Sequence, residues 1–113
     1  MAFESEPELS PEEVQERVDE TIADNEVVLF MKGTALMPQC GYSRKALGLI
    51  QQHRDDVATV NVLEALDSYR DALSDHSGRE TIPQTFVDGE FVGGSDILEQ
   101  LHENGDLAET LDA

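Results

Sequence analysis

A single cysteine, Cys40, is the residue of this chain with the clearest capacity for chemistry. It follows an apolar run (27–31) and a loop, and a segment with helical periodicity comes after it, so we expect it at the start of a helix. The unpaired N–H groups and the positive dipole end of a helix start favour a thiolate over a thiol. Lys32, Arg44 and Lys45 lie close by, although the chain holds only seven Lys and Arg residues. The sequence therefore predicts a reactive thiol beside concentrated positive charge.

Other chemistries of cysteine fit the neighbouring residues less well. A phosphatase loop needs its arginine further along than Arg44, and a structural zinc site needs more Cys and His ligands than this segment offers. No Gly-Lys-Ser/Thr follows for a phosphate-binding loop, and one cysteine cannot close an intramolecular disulfide. The histidines lie in polar, acidic segments where no protease-type partner is expected: His53, His76 and His102. The remaining alternative is an inert core cysteine, which the adjacent Gly41 and Pro38 disfavour.

The elements that position Cys40 can be predicted from periodicity and caps. Ser10 to Glu13 form a capping box that begins a first helix with one apolar stripe. Strands are predicted at 27–31, 58–62, 84–87 and 90–92, the last two joined by a type I′ turn at Asp88-Gly89. Further helices are expected after Cys40, over 67–74 and from an N-cap at Ser95, followed by a last amphipathic turn. The residues predicted to face inward are, helix by helix in chain order, Ala46, Leu47 and Ile50; Tyr69, Ala72 and Leu73; Ile97, Leu98 and Leu101; and, in the last turn, Leu107 and Leu111.

The order of these elements predicts the fold class. The strand, helix and strand around Cys40 form a β-α-β unit with parallel strands and a right-handed crossover. With the hairpin added, we expect an α/β fold: a four-stranded mixed β-sheet flanked by helices on both faces, which is the thioredoxin-like arrangement. In this fold a proline in the place of Pro83 is usually cis, and Ile82 before it offers its backbone to an extended ligand. Gly93 to Asp96 form a glycine bend that opens a helix and could hold a carboxylate.

Composition limits the compartment and the partners. The 113 residues form one domain, in which residues 1–9 are predicted to be a flexible acidic lead. The formal net charge of −18 argues against nucleic acid and anionic membranes as partners. Acidic residues are spread along the chain from Glu4 to Asp112, which favours adaptation to high salt. No signal peptide or membrane span is apparent, so we expect the cytoplasm of a halophilic microbe.

Several motifs together resemble a monothiol glutaredoxin of the CGFS type, here with the motif CGYS. The resemblance covers about 27–107 and is carried by Met31 to Thr34, Pro38 to Arg44, Thr81 to Gln84, Val87 to Phe91 and Val92 to Ile97. It implies a single glutaredoxin domain over 1–113, with Cys40 as the active thiol and metal ligand. It also implies a glutathione site at Lys32, Arg70, Ile82, Pro83 (as the cis proline), Gly94, Ser95 and Asp96.

The resemblance implies two functions for the thiol. The first is to bind a [2Fe-2S] cluster and deliver it to iron-sulfur apo-proteins. A cluster needs four thiolates, so two subunits and two molecules of glutathione or another γ-glutamyl thiol would share it. The alternative is an oxidoreductase that reduces glutathione mixed disulfides, weakly because Ser43 stands where dithiol relatives have a resolving cysteine. A third possibility is an interaction domain in which the thiol is incidental.

Three departures from the CGFS pattern affect the expected site. Tyr42 replaces the usual Phe and adds a hydroxyl. Ser95 stands where many members have a second cysteine, so a disulfide from that position to Cys40 cannot form. Arg79-Glu80 replaces a Trp-Pro pair, which makes the groove beside Thr81 more polar.

Overall fold

A computed structural model describes residues 9–112, so the predicted acidic lead lies almost wholly outside the described residues. The first half of the described chain forms α1 (Pro11–Asp24), β1 (Val27–Met31), α2 (Gly41–Gln51) and β2 (Ala58–Asn61), followed by a 3-10 turn (Val62–Glu64). The second half forms α3 (Leu66–Ser77), β3 (Gln84–Val87), β4 (Glu90–Gly93), α4 (Ser95–Asn104) and α5 (Leu107–Thr110). Within residues 9–112, none of these helices combines the length and apolar character needed to cross a membrane.

The strands form one four-stranded sheet in the order β2-β1-β3-β4. β1 pairs in parallel with β2 and antiparallel with β3, which in turn pairs antiparallel with β4. Every residue of β1 and of β3 is buried, as expected for central strands covered on both faces. The predicted mixed sheet and its parallel β-α-β unit are therefore confirmed.

Alternate residues of β1 supply the two halves of the core. Val28 and Phe30 pack with the inward sides of α1 and α3, whereas Val27, Leu29 and Met31 pack with α2, α4 and α5. The period-2 alternation of a strand produces this division, since successive side chains leave opposite faces of the sheet. The helices therefore cover both faces, as predicted, and they hold the end of β1 and the start of α2 in place.

Local signals set several boundaries as expected. Ser10 caps α1, with the Glu13 N–H donating to Ser10 Oγ at 3.1 Å and the Ser10 N–H donating to Glu13 Oε1 at 2.9 Å. Asp88 and Gly89 adopt φ values of 51° and 84°, the positive values that a type I′ turn requires at both central residues. The predicted capping box and hairpin are confirmed.

Four local predictions need correction. β2 ends at Asn61 because its side chain accepts the Leu63 N–H at 3.0 Å and begins the 3-10 turn that contains Val62. α3 extends beyond the predicted 67–74, to Ser77, and ends at Gly78 with φ 74°. The N-cap of α4 is Gly94, and Ser95 is its first residue. Ile97 is not buried; 42% of it is exposed.

Candidate functional site

Cys40 lies at the boundary that the sequence predicts, as the N-cap residue of α2. Its backbone is extended (φ −146°, ψ 132°), and its C=O accepts the first helical hydrogen bond, from the Arg44 N–H at 2.9 Å. The residue is half-buried and its thiol is free. Gly41 beside it is exposed, and a Cβ placed there would meet nothing within 4 Å. Cys40 is therefore partly accessible, and the space beside the adjacent Gly41 is open.

The helix start and Lys32 favour the ionised form of this thiol. Partial burial raises the pKa of Cys40, but this effect is outweighed by the N–H groups of Ser43 and Tyr42, the Ser43 hydroxyl and the charge of Lys32. The net result is a pKa below the ordinary value of a cysteine. The thiol accepts no capping hydrogen bond, so the N–H groups remain available to a thiolate. The expected stabilisation of a thiolate is thus present in the geometry.

A tight loop over 32–39 carries the chain from β1 to the thiol. The Gln39 N–H donates to the Lys32 C=O at 2.9 Å, while Thr34 and Met37 exchange backbone hydrogen bonds at 3.2 and 3.1 Å across the tip. Gly33 has a φ of 96°, and a Cβ there would lie 2.6 Å from both Gln39 N and Met37 O. Only glycine fits at this point, because both neighbours are backbone atoms and the φ is positive.

Two side chains anchor this loop to the rest of the domain. Ser43 is fully buried and its Oγ accepts the Lys32 N–H at 3.0 Å, which joins the end of β1 to the first turn of α2. The Asn61 Oδ1 accepts the Gly33 N–H at 3.0 Å from the neighbouring strand. The sequence indicated Ser43 only as the absence of a resolving cysteine. The structure adds that its hydroxyl positions the loop and lowers the pKa of the thiol.

The positive charges are distributed differently from the sequence expectation. Lys45 does not supply positive charge to the Cys40 sulfur, because its Nζ forms an ion pair with Glu99 of α4 at 2.8 Å. Arg44 donates to the Pro38 C=O at 3.4 Å, on the thiol loop. Four of the seven cations pair with acidic residues: Arg17, Lys45, Arg54 and Arg70. Within residues 9–112, the three without an acidic partner are Lys32, Arg44 and Arg79.

A groove of about 460 Å³ opens beside the start of α2 and collects most of the predicted ligand-binding positions. One wall is the segment before β3, where the Ile82-Pro83 peptide bond is cis as expected, and the other is the start of α4. Five predicted site residues line it: Ile82, Pro83, Gly94, Ser95 and Asp96. We call this cavity the thiol groove, since Tyr42 of its lining lies two residues after Cys40.

Three predicted site residues are not part of the lining of the thiol groove: Cys40, Lys32 and Arg70. Four lining residues were missed as site residues. Lys32 is half-buried at the end of β1, and Arg70 lies on α3 with its Nη1 3.8 Å from Asp67 Oδ1. The missed lining residues are Tyr42, Arg79, Thr81 and Ile97. For Tyr42 and Arg79 the sequence did carry a signal, since both residues depart from the CGFS pattern and both departures fall inside the groove.

The groove presents backbone groups that can bind a ligand. Among residues 9–112, the N–H and C=O of Ile82 have no hydrogen-bond partner. Gly94 caps α4 without a side-chain hydrogen bond, so the first N–H groups of that helix face no capping acceptor. A Cβ on Gly94 would lie 3.0 Å from Pro83 O, which shows how closely the two walls approach. Such a site suits an extended, peptide-like ligand with a negatively charged end.

Comparison with known proteins identifies the family of this domain. The glutaredoxin family model matches residues 27–92. An uncharacterized monothiol glutaredoxin, ycf64-like, of Synechocystis is 42% identical over 100 residues, which cover 88% of this chain and 92% of that protein. Mitochondrial monothiol glutaredoxin-5 of Schizosaccharomyces pombe is 38% identical over 88% of this chain and 69% of its own length.

The structural comparison agrees with the sequence comparison. The solution structure of reduced poplar apo GrxS14 matches with a TM-score of 0.76 at 35% identity, over 88% of this chain and 90% of that one. Glutaredoxins have a thioredoxin-like fold, so the fold predicted from the order of elements is confirmed.

Proposed function

Because this chain belongs to the glutaredoxin family and has one cysteine, we propose that it binds a [2Fe-2S] cluster through Cys40 and delivers it to iron-sulfur apo-proteins. The observation that carries this proposal is the position of Cys40, a free, partly accessible thiol with a lowered pKa next to the open space at Gly41. Thiolates are the usual ligands of such clusters, and a pKa below the ordinary value increases the fraction of Cys40 that is thiolate at a given pH. The cluster is the cargo of the protein in this proposal.

The number of thiolates sets the stoichiometry of the proposed complex. A [2Fe-2S] cluster takes four thiolates, and each copy of this chain supplies one. Two copies and two molecules of a low-molecular-weight thiol complete the set, so the cluster-bound form is a homodimer. The test is anaerobic reconstitution, followed by a visible absorption spectrum and analysis of iron, sulfide and bound thiol.

The thiol groove is the proposed site for the low-molecular-weight thiol, either glutathione or another γ-glutamyl thiol. The unpaired N–H and C=O of Ile82 would pair with the backbone of an extended ligand. The start of α4, with Ser95 and Asp96, would hold its charged γ-glutamyl end. Lys32 and Arg70 remain proposed contacts from the family pattern, although neither lines the groove.

Thiol–disulfide exchange is the second candidate function, favoured by the lowered pKa of Cys40. In the first step the Cys40 thiolate attacks the glutathione sulfur of a mixed disulfide, forms a disulfide between Cys40 and glutathione, and releases the substrate thiolate. In the second step a glutathione thiolate attacks the disulfide on Cys40, which releases oxidised glutathione and restores the Cys40 thiolate. Because Ser43 is not a cysteine, the second step needs a separate thiol molecule, and we propose that multiple turnover is slow.

The pH dependence of the first step tests this candidate. With oxidised glutathione as the disulfide, we expect the rate of modification of Cys40 to reach half its maximum at a lower pH than for an ordinary cysteine. In Lys32→Gln the midpoint moves upward and the rate at pH 7 falls, because a positive charge that lowers the thiol pKa is lost. Mass spectrometry of the modified chain over time measures the rate. Equal midpoints in the two chains would exclude the assigned role of Lys32.

We also propose that the chain works in the cytoplasm of a microbe with high internal salt. The support is the net charge of −18, which repels itself in dilute buffer and is screened at high ionic strength. No nucleic acid or membrane partner is proposed, for the same electrostatic reason.

Salt is therefore expected to stabilise the fold. Raising KCl from about 0.1 M to 2 M, where the Debye length falls from ~10 Å to below ~3 Å, should raise the melting temperature by at least about 5 °C. Circular dichroism gives the melting temperature, and a non-ionic solute at equal concentration is the control for effects other than screening. A melting temperature that is flat in KCl would count against adaptation to high salt.

A further inference from the structure

Arg79 is a groove residue whose charge has no partner within the described part of the chain. Arg79 lines the thiol groove together with Ser95 and Asp96. It forms neither an ion pair nor a side-chain hydrogen bond with any of residues 9–112. The full chain has 25 Asp and Glu residues for seven Lys and Arg, so acidic partners are plentiful. An arginine left unpaired in such a chain is available to an external anion.

The backbone of Arg79 is held rigidly although its side chain is free. The Arg79 N–H donates to Ser77 Oγ at 3.0 Å, and the Ser77 hydroxyl lies within hydrogen-bond distance of both the Leu73 C=O (3.0 Å) and the Arg79 C=O (3.2 Å). The fully buried Gln84 donates from Nε2 to the Arg79 C=O at 2.8 Å and to the Thr81 C=O at 3.0 Å. These bonds fix the segment that leads into Ile82. A guanidinium carried on a fixed backbone loses less entropy when it binds a ligand.

The chemistry of the groove indicates what this guanidinium would bind. Arginine presents a planar fork of donors that matches a carboxylate in two parallel hydrogen bonds. The groove is polar at the start of α4 and apolar along Ile82 and Pro83, which suits a short peptide-like molecule with a carboxylate. The carboxylate of Asp96 in the same groove repels a ligand of high negative charge, such as a phosphate ester. A ligand with a single carboxylate at that point is favoured by comparison.

We propose that Arg79 binds a carboxylate of the low-molecular-weight thiol and thereby selects thiols that carry one at that position. The proposal rests on the function proposed above, in which the thiol groove holds such a molecule. Arg79 is a specificity-determining residue in this view, because it contacts the ligand and takes no part in exchange at sulfur. Its place in the groove makes the site selective against thiols that have no carboxylate, such as cysteamine.

Glutathione has two carboxylates that Arg79 could bind, one on the γ-glutamyl residue and one on the glycine. Two analogues separate them. The glycine monoethyl ester of glutathione removes only the glycine charge. 4-Aminobutyryl-cysteinylglycine keeps the ammonium and the glycine carboxylate but lacks the γ-glutamyl carboxylate. Both retain the thiol and the central cysteine backbone that would pair with Ile82.

The experiment measures binding of these reduced thiols to the reduced full chain under anaerobic conditions, by titration of backbone amide NMR signals. We expect Arg79→Gln to weaken glutathione binding about tenfold, the size of a charged hydrogen-bonded contact. Arg79→Lys should recover part of that loss. One analogue should bind the native chain about tenfold more weakly than glutathione and should lose nothing further in Arg79→Gln. Arg17→Gln, which removes the same charge outside the groove, is the matched control.

The outcomes separate this proposal from the function on which it rests. If the native chain binds glutathione and Arg79→Gln binds it equally well, the role of Arg79 is overturned and the groove remains the thiol site. That role is also overturned if each analogue loses the same fraction of affinity, relative to glutathione, in the Arg79→Gln chain as in the native chain. If the native chain binds no glutathione at millimolar concentrations, the proposed function fails and the inference fails with it.

Discussion

Replacement of Cys40 by Ser is expected to leave the reconstituted chain colourless and monomeric, whereas the native chain becomes coloured and dimeric. The physical reason is the count of ligands: each chain has one thiolate to offer, and the cluster is also the bridge between the two copies. Loss of that thiolate removes ligand and bridge together, so the effect is complete. Visible absorption, size-exclusion chromatography with light scattering, and analysis of iron, sulfide and glutathione measure it after anaerobic reconstitution.

The fold itself should survive this substitution. Cys40 is the N-cap of α2, and serine is among the preferred N-cap residues, so the helix start is not weakened. Far-UV circular dichroism and thermal melting of Cys40→Ser provide the control. A variant that stays coloured, or a native chain that remains colourless and monomeric after reconstitution with glutathione, would refute cluster binding through Cys40.

Substitution of Gly33 by Ala is the second change with a large expected effect, and it acts on the loop that carries the thiol. A Cβ at Gly33 would lie 2.6 Å from Gln39 N and Met37 O, and both of these are backbone atoms that cannot turn away. The φ of 96° is also unfavourable for alanine. We expect the free energy of unfolding to fall by about 3 kcal/mol, of which roughly 1–2 is the cost of the positive φ. Urea unfolding followed by circular dichroism measures this loss.

Gly78→Ala provides the matched control for Gly33→Ala. Gly78 ends α3 with a φ of 74°, but a Cβ there would meet nothing within 4 Å. It therefore reports the cost of a positive φ alone, roughly 1–2 kcal/mol. The difference between the two variants measures the steric conflict inside the thiol loop. Equal losses in the two variants would show that the loop rearranges freely, and that its close packing does not position Cys40.

Much of the fold could be predicted because its signals are local. The capping box at Ser10, the type I′ turn at Asp88-Gly89 and the apolar runs of the strands each act over a few residues. One error in these predictions has a local cause and another has a tertiary cause. The side chain of Asn61 ends β2 one residue early by forming its own hydrogen bonds, and Ile97 faces the thiol groove although its spacing matches the buried side of α4.

The site was predicted unevenly. The residues around Cys40 predict its position at a helix start. The resemblance to the family predicts Ile82-Pro83 and Gly94 to Asp96 as site residues. Proximity in sequence was misleading for Lys45, which reaches across to Glu99. Arg79 departs from the family pattern in the sequence, but only the three-dimensional structure places it in the groove.

The sequence by itself determined the single thiol, the acidic surface and the local elements, because composition, caps and periodicity depend on residues that are close along the chain. Only the tertiary structure decided which cations remain unpaired and which residues share the thiol groove. Those properties depend on how α2 packs against α4 and how the segment before β3 meets the start of α4. Contacts between segments far apart in the chain are set by packing of the whole domain, and no local pattern encodes them.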